Sequence, residues 1–207
     1  MASNKIGLFF GSFNPIHNGH LMIANYMAEF SDLDQVWFVI SPLNPFKNDA
    51  ELLADYHRRE LLMRAISDYS RFKVSSVEFK LPKPSFTINT LDFLEQSFPD
   101  KQFTLIMGSD QLPDFHLWKN SDKILEKYKI LVYPRPLNRN TKHETRDTEV
   151  GAIPGFPGHA SRVTFIDAPV IEVSSSFIRD SIKQGKDVRF FMPDLSWQYI
   201  DEMHFYR

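Results

Sequence analysis

Four short apolar runs limit most strongly what this chain can fold into. Each is five residues long, contains at most one polar or charged residue, and ends within two residues of a glycine or proline; they are residues 6–10, 36–40, 103–107 and 129–133. Such runs lack the alternation of a half-exposed strand and are typical of strands buried on both faces of a parallel sheet. Shorter or weaker strand patterns occupy residues 72–79 and 163–166.

Helical patterns separate these runs. Apolar residues recur at helical spacing up to Phe30 after the first run, and again over residues 56–67, 87–97 and 121–128. Strands that alternate with helices in this way predict an α/β fold with a doubly wound parallel sheet.

The chain shows no division into domains. Its 207 residues are 43% hydrophobic, which suffices for one large core, and no repeat, low-complexity tract or linker interrupts them. We therefore expect a single domain over residues 1–207. Residues 134–162 are polar and rich in proline and glycine, which predicts a long surface loop, and a helical segment is expected from about residue 174.

Charge and cysteine content exclude several classes of protein. There are 24 Lys and Arg against 26 Asp and Glu, so no basic surface for a nucleic acid or an anionic membrane is expected. The absence of cysteine excludes disulfides and thiolate chemistry. The first apolar run is too short for a signal peptide or a membrane span, and we expect a cytoplasmic protein. A homo-oligomer remains open.

The segment after the first strand, residues 11–20 and called the histidine loop below, is suited to binding a phosphate chain. It leaves the carboxyl edge of the predicted sheet and enters a helix, whose N-terminal amides attract anions. Gly11 and Gly19 allow close backbone approach to a ligand, while His17 and His20 lie three residues apart, on one side of the first helical turn. An isolated pair of this kind more often caps a helix or binds a metal ion. Between two glycines and after a buried strand, it indicates donors for phosphate oxygens.

The histidine loop resembles the signature of the nucleotidyltransferase superfamily built around His-X-Gly-His, matched by residues 17–20. That superfamily includes adenylyltransferases of NAD and coenzyme A synthesis and several cytidylyltransferases. The resemblance implies a Rossmann-like nucleotidyltransferase fold, and in-line attack on the α-phosphorus with pyrophosphate leaving. It also implies catalytic roles for His17 and His20, and ATP contacts from Gly11, Ser12, Phe13 and Gly19.

A second segment, residues 173–179, resembles the superfamily's Ile-Ser-Ser-Thr-X-Ile-Arg motif. A serine run before a helix is by itself a capping signal. Beside the histidine loop, the resemblance implies that Ser174, Ser175, Ser176 and Arg179 hold the β- and γ-phosphates. A guanidinium one turn from the positive end of a helix suits that task.

Further segments, residues 41–47, 84–91, 108–110 and 114–118 together with Arg135, resemble those of the bacterial nicotinate-nucleotide adenylyltransferases, and this resemblance runs over nearly the whole chain. This resemblance implies transfer of AMP from ATP to nicotinate mononucleotide in NAD biosynthesis, with Mg²⁺ accompanying ATP. The residues that it adds to the site are Lys47 for catalysis, Gly108 and Asp110 for ATP, and Thr87, Trp118 and Arg135 for the mononucleotide.

One departure leaves the acceptor open. Lys119 stands where an aromatic residue is common in this family, so the preference for the acid over the amide mononucleotide does not follow from the resemblance. Two alternatives remain: another adenylyltransferase, with nicotinamide mononucleotide or pantetheine phosphate as acceptor, or a nucleotide-binding module without turnover.

Overall fold

A computed structural model describes residues 4–42, 52–135 and 160–207. Six strands of these residues form one sheet in the order β3-β2-β1-β4-β5-β6, and every pairing is parallel. The strands are β1 (Lys5–Gly11), β2 (Gln35–Ile40), β3 (Phe72–Ser75), β4 (Gln102–Gly108), β5 (Lys129–Tyr133) and β6 (Val163–Phe165).

Helices cover both faces of this sheet. They are α1 (Asn18–Phe30), α2 (Asp55–Ala65), α3 (Thr87–Ser97), α4 (Ser121–Lys127), α5 (Ser175–Lys183) and α6 (Asp194–Glu202). Side chains of α1, α2, α5 and α6 share one apolar cluster, and side chains of α3 and α4 share the other. Helices on both faces of a parallel sheet are the arrangement of a doubly wound fold, so the predicted fold class is confirmed.

The apolar runs supply both clusters because successive strand residues point to opposite faces. In β1, Leu8 belongs to the cluster of α3 and α4, whereas its neighbour Phe9 belongs to the cluster of α1 and α2. In β2, Phe38 and Val39 divide in the same way. A largely apolar run is therefore favoured in a strand at the centre of this sheet, where the apolar run of β4 carries a single polar residue, Thr104.

The strand order reverses between β1 and β4, which are direct neighbours. β1 continues to β2 and β3 on one side, while the chain returns through α3 to β4 on the other. Such a reversal leaves a crevice outside the carboxyl ends of the two strands, where ligands of open α/β sheets bind. Gly11 and Gly108 end these two strands and so lie at the crevice.

The prediction for the third strand was wrong at its C-terminal end. β3 stops at Ser75, and Val77–Lys80 form a 3-10 turn rather than a continuation to residue 79. The turn buries Glu78, whose carboxylate accepts hydrogen bonds from Thr90 Oγ1 at 2.7 Å and Ser85 Oγ at 3.1 Å. A buried carboxylate needs such donors, and burial raises its pKa.

The other predicted strands end within one residue of their predicted limits. Within the predicted surface loop, residues 136–159 lie outside the described residues, as does Lys47. Among the helices that the structure describes, none has the length and apolar character needed to cross a membrane.

Candidate functional site

The histidine loop folds over the apolar cluster at the end of β1. Phe13 has a positive φ of 46° and a buried ring, which packs edge-on against Phe9 and Phe38. A Cβ on Gly11 would lie 2.9 Å from that ring. The glycine therefore makes room for a side chain of the protein itself, and any contact of Phe13 with a ligand falls to its backbone.

His17 and His20 form a reciprocal cap at the start of α1. His17 is the N-cap residue; its Nδ1 accepts from the His20 backbone N–H, and His20 Nδ1 accepts from the His17 backbone N–H, both at 3.3 Å. The rings are stacked with their centroids 3.7 Å apart. Because each Nδ1 is an acceptor, each neutral ring carries its proton on Nε2. The loop therefore presents two Nε2–H donors side by side.

Gly19 leaves room for the His17 ring. A Cβ there would lie 3.0 Å from His17 Nδ1, a tight contact that would push the imidazole away from the helix by a few tenths of an ångström. The sequence predicted that Gly19 lets a ligand approach the backbone closely. In the structure, the His17 ring of the same loop lies against Gly19.

His17 is uncharged at neutral pH. Its side chain is buried, and burial together with the positive charge of Arg135 lowers its pKa from 6.5 to about 3. A neutral imidazole with an occupied Nδ1 acts as a hydrogen-bond donor and not as a base. The effect of Arg135 on this pKa indicates that its guanidinium charge acts on the histidine pair.

The two sequence motifs meet through direct hydrogen bonds. Arg179 NH1 donates to the main-chain oxygen of Asn14 at 2.8 Å, and Ser175 Oγ donates to that of Pro15 at 2.8 Å. Ser174 is the N-cap of α5 and accepts from the Phe177 N–H at 3.2 Å. The start of α5 therefore lies against the histidine loop, as the pairing of the motifs predicts.

The serines have more specific tasks than the sequence indicated. The Ser174 hydroxyl caps α5, the Ser175 hydroxyl holds the loop, and Arg179 NH2 donates to Ser176 Oγ at 3.4 Å. Each contact fixes the geometry of the helix start. Whether these hydroxyls also contact phosphate remains a prediction.

A second group of polar residues lies at the end of β4. Arg135 NH1 is 3.4 Å from Asp110 Oδ2, and the Ser109 hydroxyl exchanges hydrogen bonds of 2.9 Å with both the N–H and the carbonyl oxygen of Arg135. A Cβ on Gly108 would lie 2.3 Å from Asp110 Oδ1, so the glycine lets the carboxylate fold back over the strand end. Burial also raises the pKa of the nearby Tyr133 to about 12.

Asp110 carries an unmet hydrogen-bonding need. Its Oδ1 is buried and has no hydrogen-bond partner among the described residues. A buried carboxylate oxygen without a donor is costly, and a ligand hydroxyl at this point would satisfy it. In this arrangement Oδ1 has no exposed surface, so a ligand hydroxyl would reach it only after the carboxylate turns outward, and the contact between Asp110 and a ribose stays a prediction.

The residues predicted to bind the mononucleotide ring share another corner. Thr87 is the first residue of α3. The N-cap residue, Phe86, makes no side-chain hydrogen bond, so it does not cap the first amides of the helix. Trp118 is partly buried against Phe115, with ring centroids 5.2 Å apart. Lys119 Nζ lies 4.6 Å from the centre of the Phe86 ring. An aromatic ring, the N-terminal amides of α3 and the Lys119 ammonium therefore occur together here.

Two residues that hold the site were not identified as such from the sequence. Arg58 is fully buried and donates to the main-chain oxygens of Ser12 at 2.7 Å and Ser41 at 2.8 Å, which joins the ends of β1 and β2. Tyr206, near the end of the chain, donates its hydroxyl to Asn14 Oδ1 at 2.7 Å. No local spacing signals either contact, since the partners are far apart in sequence.

The donors around the crevice are imidazole N–H and guanidinium groups, which suit phosphate oxygens. Within the described ranges, no three histidine or carboxylate side chains are grouped so that they could hold a metal ion.

Comparison with known proteins agrees with this geometry. The family described as Cytidylyltransferase-like matches residues 8–181. A relative from Christiangramia forsetii named "Probable nicotinate-nucleotide adenylyltransferase" is 47% identical over 205 residues, which cover 99% of this chain and 100% of the relative. A relative of the same name from Flavobacterium psychrophilum is 49% identical over 203 residues, covering 98% and 99%.

Solved structures share the fold. A Plasmodium falciparum nicotinic acid mononucleotide adenylyltransferase complexed with NaAD superposes with a TM-score of 0.74 at 20% identity, covering 98% of this chain and 97% of that one. A putative nicotinate-nucleotide adenylyltransferase from Vibrio parahaemolyticus gives a TM-score of 0.70 at 19% identity, covering 99% and 96%.

Proposed function

The chain belongs to the nicotinate-nucleotide adenylyltransferases of the cytidylyltransferase-like family, and from this membership we propose that it transfers AMP from ATP to nicotinate mononucleotide. The products are nicotinate adenine dinucleotide and pyrophosphate. The observation that carries the proposal is the junction of the two motifs, where Arg179 and Ser175 bond to Asn14 and Pro15 beside the histidine pair.

The triphosphate of ATP lies between the histidine loop and the start of α5. The Nε2–H groups of His17 and His20 donate to phosphate oxygens, and Arg179 adds a full positive charge at the positive end of the helix. Because these donors are held by other hydrogen bonds, they need little rearrangement as charge develops on the α-phosphate and on the leaving pyrophosphate. The Asp110 carboxylate, whose Oδ1 lacks a partner among the described residues, turns toward the crevice and accepts a ribose hydroxyl of ATP.

The acceptor phosphate approaches from Arg135. This arginine pairs with Asp110 and lowers the pKa of His17, so its charge lies close to the triphosphate half of the site. An oxygen of the mononucleotide phosphate attacks the α-phosphorus, and the bond between the α-phosphorus and the bridging oxygen breaks as pyrophosphate leaves. The attacking phosphate is already ionised at neutral pH, so positioning and charge neutralisation carry the catalysis.

The pyridine ring with its carboxylate is bound at the corner formed by Thr87 and Trp118. The N-terminal amides of α3 favour a carboxylate, and the Lys119 ammonium near Phe86 adds positive charge on the same side. Trp118 supplies an aromatic face for the ring. Positive charge at this corner favours the acid mononucleotide over the neutral amide.

Mg²⁺ accompanies ATP and is held mainly by phosphate oxygens, where it neutralises charge on the triphosphate. Lys47 is proposed to reach the same phosphates. We also propose that residues 1–207 form one nucleotidyltransferase domain, since both apolar clusters pack on the one sheet, and that the protein is cytoplasmic.

The test is pyrophosphate release from Mg-ATP with three acceptors compared side by side: nicotinate mononucleotide, nicotinamide mononucleotide and pantetheine phosphate. We expect the acid mononucleotide to be used at the highest kcat/KM. Faster use of either other acceptor would overturn the substrate assignment. ATP binding without pyrophosphate release from any acceptor would favour a nucleotide-binding module.

A further inference from the structure

The chain ends in a turn that brings an aromatic hydroxyl to the histidine loop. His204 and Tyr206 have positive φ angles of 53° and 63°, and the Phe205 N–H bonds back to the carbonyl of Ile200 in α6 at 3.1 Å. This turn directs the Tyr206 hydroxyl to Asn14 Oδ1 at a distance of 2.7 Å, across 192 residues of sequence. Asn14 is 2% exposed and Tyr206 is half-buried, so the contact is partly shielded from solvent.

Asn14 gathers bonds from three parts of the fold. Its Oδ1 accepts from Tyr206 and from the Leu53 N–H at 3.2 Å, while its main-chain oxygen accepts from Arg179 at 2.8 Å. The C-terminus, the segment before α2, and α5 therefore act on a single loop residue. Asn14 lies three residues before His17 in the same loop, so a shift of Asn14 also shifts the backbone that carries the histidine pair.

The backbone next to Asn14 requires such support. Phe13 has a φ of 46°, a conformation that is unfavourable for a bulky residue and persists only when surrounding contacts impose it. Loss of a contact at Asn14 removes part of this support, so the strained backbone at Phe13 can shift although its buried ring stays packed against Phe9 and Phe38. Such a movement would shift both the peptides of the loop and the guanidinium of Arg179, which is bonded to Asn14.

We propose that Tyr206 is a positioning residue for ATP: through Asn14, its hydroxyl holds the histidine loop and Arg179 in the arrangement that receives the triphosphate. The proposal rests on the proposed function for the identity of the ligand. It assigns a role at the nucleotide site to the C-terminal turn, which lies outside both sequence motifs. The contribution comes from one hydrogen bond, so it can be removed without removing the aromatic ring.

The test compares Tyr206→Phe with Tyr199→Phe. Tyr199 is a matched control because its hydroxyl also makes a hydrogen bond, at 2.9 Å to His57 Nδ1, and its ring contacts Phe205 in the same C-terminal region. Both variants lose one hydroxyl and keep the ring. Only Tyr206→Phe breaks a contact to the histidine loop.

We expect Tyr206→Phe to raise the KM for ATP and the dissociation constant of ATP, measured calorimetrically without acceptor, by about tenfold each. The KM for nicotinate mononucleotide should stay within about twofold of the wild-type value. Both variants should lower the Tm by a similar amount, since each loses one hydrogen bond. Tyr199→Phe should nevertheless leave ATP binding unchanged, which separates positioning of the ligand site from stability.

Unchanged ATP binding in Tyr206→Phe, or equal losses of ATP binding in both variants, would overturn the proposal. Its failure is distinguishable from failure of the proposed function. A wild-type protein that binds ATP but releases no pyrophosphate with the mononucleotide refutes the function alone. An active wild type with an unaffected Tyr206→Phe variant refutes the role of Tyr206 alone.

Discussion

Acid should destabilise this protein through His17 to a measurable extent. The folded-state pKa of His17 is about 3, against 6.5 for an unperturbed histidine. Below pH 6.5 the unfolded chain binds a proton that the folded chain does not take up until about pH 3. The stability that His17 contributes is therefore fully present above pH 6.5 and is lost as the pH falls from 6.5 toward 3.

Between pH 7 and pH 4, the unfolded state gains this proton over about 2.5 pH units at about 1.4 kcal/mol per unit. The free energy of unfolding should thus fall by about 3 kcal/mol from His17 alone. That is a large share of the about 5–15 kcal/mol that stabilises most domains. Urea unfolding at both pH values, followed by tryptophan fluorescence, measures the change.

His17→Asn is the matched control for this prediction. An asparagine oxygen can still cap α1 by accepting from the His20 N–H, but it does not titrate. Other groups, including Glu78 with its raised pKa, are the same in both proteins and cancel in the comparison. Equal losses of stability in the wild type and His17→Asn between pH 7 and pH 4 would refute the argument that buried, neutral His17 carries this pH dependence.

Two further predictions concern catalysis and the acceptor. His20→Ala should lower turnover by about 10² or more, because one Nε2–H donor to the triphosphate is lost, while the circular dichroism spectrum stays native; a variant with wild-type turnover would contradict the role given to the pair. Lys119→Met keeps much of the side-chain length but removes the charge over Phe86. It should raise the KM for nicotinate mononucleotide about three- to tenfold and leave the KM for nicotinamide mononucleotide unchanged; equal changes for both acceptors would show that the charge does not select the acid.

The sheet could be predicted because its central strands are buried on both faces and so leave short apolar runs with at most one polar residue each. The same logic failed at β3, a strand at the edge of the described sheet, where residues 76–79 continue the strand pattern but form a turn. What ends β3 is the burial of Glu78 against donors at Ser85 and Thr90. Because those donors lie in a later part of the chain, a local pattern around Glu78 does not reveal them.

The candidate site likewise contains some contacts that a local sequence pattern reveals and others that it does not. The positions of His17 and His20 on one helical turn follow from a spacing of three residues, and the structure confirms that their rings stack. The contacts of Arg58 and Tyr206 with the loop link residues 46 and 192 positions apart, respectively. Such contacts depend on tertiary packing, which local periodicity and capping patterns do not record.

The two halves of the site differ in how many contacts hold them. The histidine loop is fixed by donors from three parts of the fold, Arg58, Arg179 and Tyr206, so a substitution in the loop disturbs several bonds at once. Lys119 is exposed and rests on the face of one aromatic ring, Phe86. A change at Lys119 can therefore alter the charge near Thr87 and Trp118 without disturbing the histidine loop. It follows that the two proposals can be tested separately: substitutions at the histidine loop test the reaction, and a substitution at Lys119 tests the choice of acceptor.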